Sequence, residues 1–325
     1  MNSFGRLFRV SILGESHGLY VGVVIDGCPS GIPLNANDFT PDLQRRKSGA
    51  KGTTPRIETD RPEIISGVFN DFTTGSPITI LFKNSNTRSE DYNFNNIPRP
   101  GHADFVAHKK FRGFNDPRGG GHFSGRLTTG LTAAGVVAKK ILNKISVEAK
   151  LTQAGGSSNI NDAIDNAIKN NDSVGGIVEC KVNGLPVGLG EPFFDSIESL
   201  ISHAVFAIPA IKGIEFGSGF KAASMKGSEH NDRFIDNTGK TATNHAGGIN
   251  GGISNGNELL FRVAVKPTSS ISSAQKTYDF AKNKSTELKI KGRHDACIAL
   301  RVPVVIEAVT AMVLADLTLI NKSYL

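Results

Sequence analysis

The sequence predicts an α+β protein with long helices inside and antiparallel sheets outside. Three observations carry that expectation. First, strand-like segments alternate. Leu259, Phe261, Val263 and Val265 oppose Leu260, Arg262, Ala264 and Lys266, while Val178, Cys180 and Val182 oppose Ile177, Glu179 and Lys181. A period of two with one wetter face suits antiparallel sheet. Second, the stretches RLTTGLTAAGVVAKKIL and RVPVVIEAVTAMVLADLTLI are small or apolar almost all round. Helices of that kind belong in the interior. Third, the order of elements repeats. VVIDGCPSGIPLNANDF from Val23 and CKVNGLPVGLGEPFFD from Cys180 each run from a short apolar strand through G-x-P-x-G to a polar turn and a helical pattern.

Taken in order, the first strand around Val23 ends at Gly27-Cys28-Pro29-Ser30-Gly31, and a second covers Ile78 to Lys83. A long helix follows over about 126–145, where Gly130, Ala134, Gly135 and Ala138 allow a close neighbour. Residues 150–176 are rich in Asn, Asp, Ser and Gly and read as a surface excursion with one short helix, Asn161–Lys169. The strand around Cys180 then meets Gly184-Leu185-Pro186-Val187-Gly188. The strand Phe261 to Lys266 corresponds to Ile78 to Lys83, and a helix over about 296–321 ends the chain. The expectation is one domain over 1–325, made of two similar halves, roughly 1–150 and 175–325, related by an internal duplication.

The 325 residues are 38% hydrophobic and 21% charged, as in a soluble globular protein. Lys and Arg exceed Asp and Glu by 37 to 30, a net charge of +7, which suits an anionic partner. Cys28, Cys180 and Cys297 lie far apart without CxxC spacing and read as free thiols in a reducing compartment. Arg6 and Arg9 interrupt the apolar run at the N-terminus, so no signal peptide is expected. The most apolar run, 302–320, holds Glu307 and Asp316, each costing about 2.5–3.5 kcal/mol near a bilayer centre. A buried helix, no membrane contact and a cytoplasmic location are the expectation.

The basic residues punctuate glycine-rich loops: Arg45-Arg46-Lys47-Ser48-Gly49, Pro98-Arg99-Pro100-Gly101-His102, Pro117-Arg118-Gly119-Gly120-Gly121-His122 and Lys291-Gly292-Arg293-His294-Asp295. Guanidinium forks pair with carboxylates and phosphates, and glycine backbones cradle such anions. Four loops of one type point to one site for a small, multiply charged ligand. Nucleic acid is the rival, but there is no Trp, only four Tyr, and the basic loops carry Gly and Pro in place of stacking aromatics. Thr238-Gly239-Lys240-Thr241 lacks the earlier glycine of a phosphate-binding loop, because Phe234 stands there. Gly217-Ser218-Gly219 is not followed by a helical apolar pattern and reads as a turn. No local metal-ligand spacing occurs, so no metal is expected.

Imidazole can give or take a proton near neutrality. His17, in Gly14-Glu15-Ser16-His17-Gly18, and His102 sit in glycine loops and are better catalytic candidates than His108, His203 or His230.

GESHG at 14–18, RPGHAD at 99–104, G-x-x-S-G-R-x-T at 121–128, NHAGG at 244–248, KPTSS at 266–270 and GRHDAC at 292–297 occur in one order over nearly the whole chain. In these motifs the sequence resembles the chorismate synthases. The resemblance implies a β-α-β sandwich subunit in a homotetramer. It implies 1,4-anti elimination of phosphate from 5-enolpyruvylshikimate 3-phosphate to give chorismate, with reduced FMN (FMNH₂) required and no net redox change. No segment for NADPH oxidation is visible, so an external NAD(P)H-dependent reductase is expected to supply the flavin. By the resemblance, His17 would protonate the leaving phosphate, His102 would stabilise the reduced flavin, and Asp295 would assist proton transfer. Arg46, Lys51, Arg99 and Arg126 would hold the substrate's anionic groups. The backbone around His122, Phe123 and Ser124, with Ala210, Gly251, Lys266, Pro267, Thr268, Ser269, Ser270 and Arg293, would contact FMN. The alternatives are a flavin reductase and a non-catalytic basic protein that binds anions or nucleic acid on the same scaffold.

The chain departs from the commoner family text in places. GGGRSSARET is here GGGHFSGRLT, with His122, Phe123, Gly125 and Leu127 as the new residues. Lys51 stands where an arginine is common and loses bidentate geometry. Ala296 replaces a rigid proline in GRHDAC.

Overall fold

The computed structural model describes residues 2–87, 94–290 and 294–324. In the first half, β1 (Ser3–Phe4), β2 (Arg9–Gly14), β3 (Tyr20–Asp26) and β4 (Glu63–Ser66) are followed by a small hairpin, β5 (Val68–Phe69) with β6 (Phe72–Thr73), and by β7 (Ile78–Lys83). Five of these form a sheet in the order β1-β2-β3-β7-β4, every pair antiparallel. In the second half, β8 (Ser146–Ala154), β9 (Gly176–Asn183) and β10 (Ile211–Phe216) precede the hairpin of β11 (Ile249–Asn250) and β12 (Ile253–Ser254). Then come β13 (Leu259–Val265) and a last hairpin, β14 (Gln275–Asp279) with β15 (Lys284–Leu288). The second sheet runs β10-β13-β9-β8, again antiparallel. The α-helices are α1 (Thr40–Arg46), α2 (Asp104–Lys110), α3 (Thr128–Leu142), α4 (Ile160–Lys169), α5 (Ile197–Phe206), α6 (Gly227–His230) and α7 (Pro303–Tyr324). Mixed helix and antiparallel sheet make the class α+β.

The alternation expected in the strands is the burial observed. Val178, Cys180, Val182, Leu259, Phe261 and Val263 are fully buried, while their neighbours along the strand are less so. Helix α3 packs on β2, β3 and β7, α7 packs on β8 and β9, and α3 and α7 pack on each other. Two glycines allow these approaches. A Cβ on Gly130 would lie 2.7 Å from the Gly22 carbonyl oxygen, and one on Gly135 would lie 2.3 Å from the Cβ of Ala308.

Both long helices begin later than the sequence suggests. Helix α3 starts at Thr128, after short 3-10 turns over Arg118–Phe123 and Gly125–Leu127. Helix α7 starts at Pro303, after a 3-10 turn over Ile298–Arg301. Proline disfavours helical backbone in the residue before it but fits the first helical position. The 150–176 stretch is also less irregular than expected, since β8 runs on to Ala154.

Helix α7 is long and apolar enough to cross a membrane, yet most of it is buried in the fold. Its two carboxylates are fully engaged there. Glu307 accepts both Nη atoms of Arg45 at 2.7 and 2.6 Å, Lys139 Nζ at 3.0 Å and the Ala149 N–H at 2.9 Å. Asp316 accepts the backbone N–H groups of Arg6, Leu7 and Phe8 at 2.9, 2.7 and 2.8 Å, tying the N-terminal strands to α7. Cys28, Cys180 and Cys297 are buried and free.

Candidate active site

The loop before α3 carries three consecutive glycines in left-handed backbone, with φ of 59° at Gly119, 82° at Gly120 and 53° at Gly121. Only glycine takes such a run without strain. The crowding explains the rest. A Cβ on Gly119 would lie 2.5 Å from Cδ2 and Nε2 of His17 and 2.8 Å from Ser16 Oγ. One on Gly120 would lie 3.6 Å from Cε1 and Nε2 of His102. The Ser16 N–H donates to the Gly121 carbonyl at 3.1 Å, fastening the His17 loop to this arch. The arch is therefore in contact with both candidate imidazoles.

Beside His17, a cavity of about 140 Å³ is lined by Arg46, Lys47, Arg56, Arg126 and Arg301 and by Glu58, Asp60 and Asp295, among others. Five cations against three carboxylates leave it positive. Asp60 joins two of the arginines: Oδ2 accepts Arg46 Nη2 at 2.6 Å, and Oδ1 accepts Arg126 Nη1. Burial pushes the Asp60 carboxyl up, but the two guanidiniums outweigh it and hold it below the usual carboxylate range. Burial also pushes the Arg46 guanidinium down to about 10, against the pull of Asp60. Arg126 Nε donates to Asn84 Oδ1 at 2.9 Å. Arg46 Nε and Arg126 Nη2 are buried without an acceptor among the described residues. Buried donors left open in a cationic cavity suit an anionic ligand. Asp295 accepts the Thr54 N–H at 2.9 Å and faces Arg301 Nη1 at 3.3 Å.

A second cluster lies on the His102 side. Arg99 donates to Asp104 through Nε at 2.8 Å and Nη2 at 2.7 Å, and to Ser270 Oγ through Nη1 at 3.0 Å. His102 Nδ1 lies 2.7 Å from Asp104 Oδ1 and 3.0 Å from Arg99 Nη2. A guanidinium can only donate, so the carboxylate contact assigns the proton to Nδ1 and the arginine contact is not a hydrogen bond. Burial raises the Asp104 carboxyl, but the hydrogen bonds from Arg99 and His102 prevail and hold it far below the usual range. Lys266 Nζ donates to the Gly101 carbonyl at 3.2 Å and to Ser269 Oγ at 2.6 Å. The Lys266 N–H donates to the carbonyl of Ala210, which holds φ of 76°. Burial, aided by Lys212, lowers the Lys266 ammonium. Thr268 Oγ1 is buried with no partner among the described residues, and Pro267 packs near Gly175.

The structure thus brings Arg46, Arg126, Ser124 and Asp295 to one cavity, with His17 against the Gly119 that lines it, and Arg99, His102, Lys266, Ser269 and Ser270 to the adjoining cluster. It places others elsewhere. Lys51 is 65% exposed and pairs with Asp165 of α4, because Gly52 tucks beneath Ile164 and Leu300 and turns the loop outward. The Arg99 fork is committed to Asp104 and Ser270, so it shapes the His102 loop and does not line the cavity. The His122 ring contacts the Gly14 carbonyl at 2.8 Å and Asn2 Oδ1 at 3.2 Å, while Phe123 leans toward Phe111. Gly251 lies in the exposed β11–β12 turn, where a side chain would meet nothing within 4 Å. Arg293 lies outside the described residues. Sequence reasoning missed Arg56, which donates to Ser16 Oγ and O at 3.0 Å each and pairs with Glu58. Its signal was weak, since TTPRIETD has no glycine.

Two imidazoles seated on glycine loops beside a cationic cavity are the makings of an enzyme for a small anionic substrate. The family model for chorismate synthase matches residues 8–319. A chorismate synthase of Chitinophaga pinensis is 66% identical over 324 residues, covering 99% of this chain and 98% of that protein. One of Dehalococcoides mccartyi is 47% identical over 351 residues, covering 98% and 96%. A solved crystal structure of a chorismate synthase superposes with a TM-score of 0.74 at 25% identity, covering 98% of this chain and 93% of that one. The chain belongs to the chorismate synthase family and is an enzyme, a carbon–oxygen lyase.

Proposed function

We propose that the chain converts 5-enolpyruvylshikimate 3-phosphate to chorismate and phosphate by 1,4-anti elimination, dependent on reduced FMN without net redox change. The observation that carries this reading is the His17 ring held under Gly119 beside a cavity whose two buried arginines keep N–H groups open. Arg46 and Arg126 bind the substrate's anionic groups. His17 gives a proton to the phosphate oxygen as the carbon–oxygen bond breaks, making the phosphate a better leaving group. Asp295, held by Thr54 and Arg301, assists the proton that leaves carbon.

The residues present fit FMN. The buried, unpartnered Thr268 hydroxyl is an open polar group on the wall where Lys266 supplies a cation and Ser269 and Ser270 further hydroxyls. These residues, Ala210 and Arg293 would hold it, with His102 steadied toward it by Asp104. The chemistry reduced FMN supplies when bound is transient electron donation and an acceptor for the substrate proton. An external NAD(P)H-dependent reductase keeps it reduced.

The same reading takes the subunit as a β-α-β sandwich with internal duplication, one domain over the whole chain. Support comes from the matching turns after β3 and β9, where Gly27 and Gly184 hold φ of 79° and 78°. It takes the assembly as a cytoplasmic homotetramer. The exposure of Phe193 at 85% and Phe194 at 91% supplies apolar surface for subunit contact.

The test is anaerobic incubation of the protein with the substrate and dithionite-reduced FMN, with chorismate and phosphate both quantified. Equimolar release supports the reading; phosphate without chorismate ends it.

A further inference from the structure

We infer that Asp60 is a positioning residue: it spans Arg46 and Arg126 and sets the direction of the N–H groups these arginines present to the substrate's anions. The inference rests on the reading of the cavity as the seat of those anions. All three side chains are buried, with Asp60 and Arg126 each 6% exposed and Arg46 3%. Each oxygen of Asp60 takes one arginine. Asp60 stands in left-handed backbone, with φ of 51°. That conformation is uncommon outside glycine, though aspartate takes it more readily than most residues.

Coulomb attraction alone argues against a carboxylate here. A negative charge between the two cations weakens the pull on an incoming anion. Its benefit is geometric. Two buried guanidiniums side by side repel each other and, without a shared acceptor, would turn toward other oxygens. Arg126 has further anchors in Asn84 and Thr129, at 2.9 and 3.3 Å. Among the described residues, Arg46 has beyond Asp60 only a 3.5 Å side-chain contact, from Nη1 to Thr128 Oγ1. Asp60 is therefore the main side-chain restraint on the Arg46 fork. With it in place, Arg46 Nε and Arg126 Nη2 remain without an acceptor among the described residues.

The sign of one measurement separates geometry from charge. Isothermal titration of inorganic phosphate would be run on the full-length protein, on Arg126→Ala and on Asp60→Asn. Asp60→Asn removes a negative charge, yet phosphate affinity and KM should both worsen by about tenfold or more, the scale of a lost charge-assisted hydrogen bond. The value of kcat should stay within about threefold, because His17 and its loop are untouched. Unchanged or tighter phosphate binding in a folded Asp60→Asn protein would overturn the proposal. Should that variant not fold, Asp60→Glu decides. It keeps the charge but displaces the carboxylate by one methylene, so affinity should fall by roughly threefold at unchanged Tm. Wild-type affinity there would overturn it equally. Phosphate binding that Arg126→Ala leaves unchanged would instead remove the anion seat itself, and this proposal with it.

Discussion

Gly119 lies against the ring of His17, so closely that a methyl group on its α-carbon would come within 2.5 Å of two ring atoms. The glycine arch and the imidazole form one unit, and the backbone of one sets the place of the other.

Gly119→Ala should therefore damage activity more than stability. Left-handed backbone costs alanine about 1–2 kcal/mol, enough for a modest fall in Tm. Displacing the ring by about an ångström should cost roughly a hundredfold in kcat. Thermal melts and initial rates on the same preparation check both. Wild-type turnover would show that His17 needs no such seat.

His17→Ala should fold normally and lose about 10²–10⁴ in kcat, the usual contribution of a general acid. KM should change less, since Arg46 and Arg126 remain. Normal turnover would remove His17 from the chemistry.

Asp104→Asn should loosen the His102 loop and alter the acid limb of stability. The Asp104 carboxyl is held below its usual range in the folded protein. A depressed carboxylate contributes stability that is present above its unfolded pKa of about 3.9 and lost as pH falls toward the folded value. The wild type should therefore exceed Asp104→Asn most at pH 5–7, and the gap should close in acid below about pH 4. Melting curves across that range give the comparison. A gap that widens on acidification would contradict the pairing.

Much of the fold was legible because burial on one face leaves a period of two in β9 and β13 and apolar surface all round α3 and α7. Helix starts were less so, because the turns before Thr128 and Pro303 are built from residues that could equally begin a helix. The glycine loops pointed to His17, His102, Arg46 and Arg126. Asp60 and Asp104 were not visible as partners. The Asp60 pairing with Arg126 spans 66 residues, and sequence periodicity carries no such distance. The direction of Lys51 was hidden for the converse reason: its loop composition suits an anion site, but Gly52 packs under α4 and the lysine pairs with Asp165.

The most direct test of the proposed reaction follows the flavin and the product together. Under anaerobic conditions, oxidised FMN should give almost no chorismate, and dithionite-reduced FMN should support many turnovers per flavin. The spectrum after turnover should still be that of reduced flavin, since elimination of phosphate is redox-neutral and the protein supplies only binding, orientation and proton transfer around it. Oxidation of one flavin for each product formed, or equal activity with no flavin at all, would contradict the account.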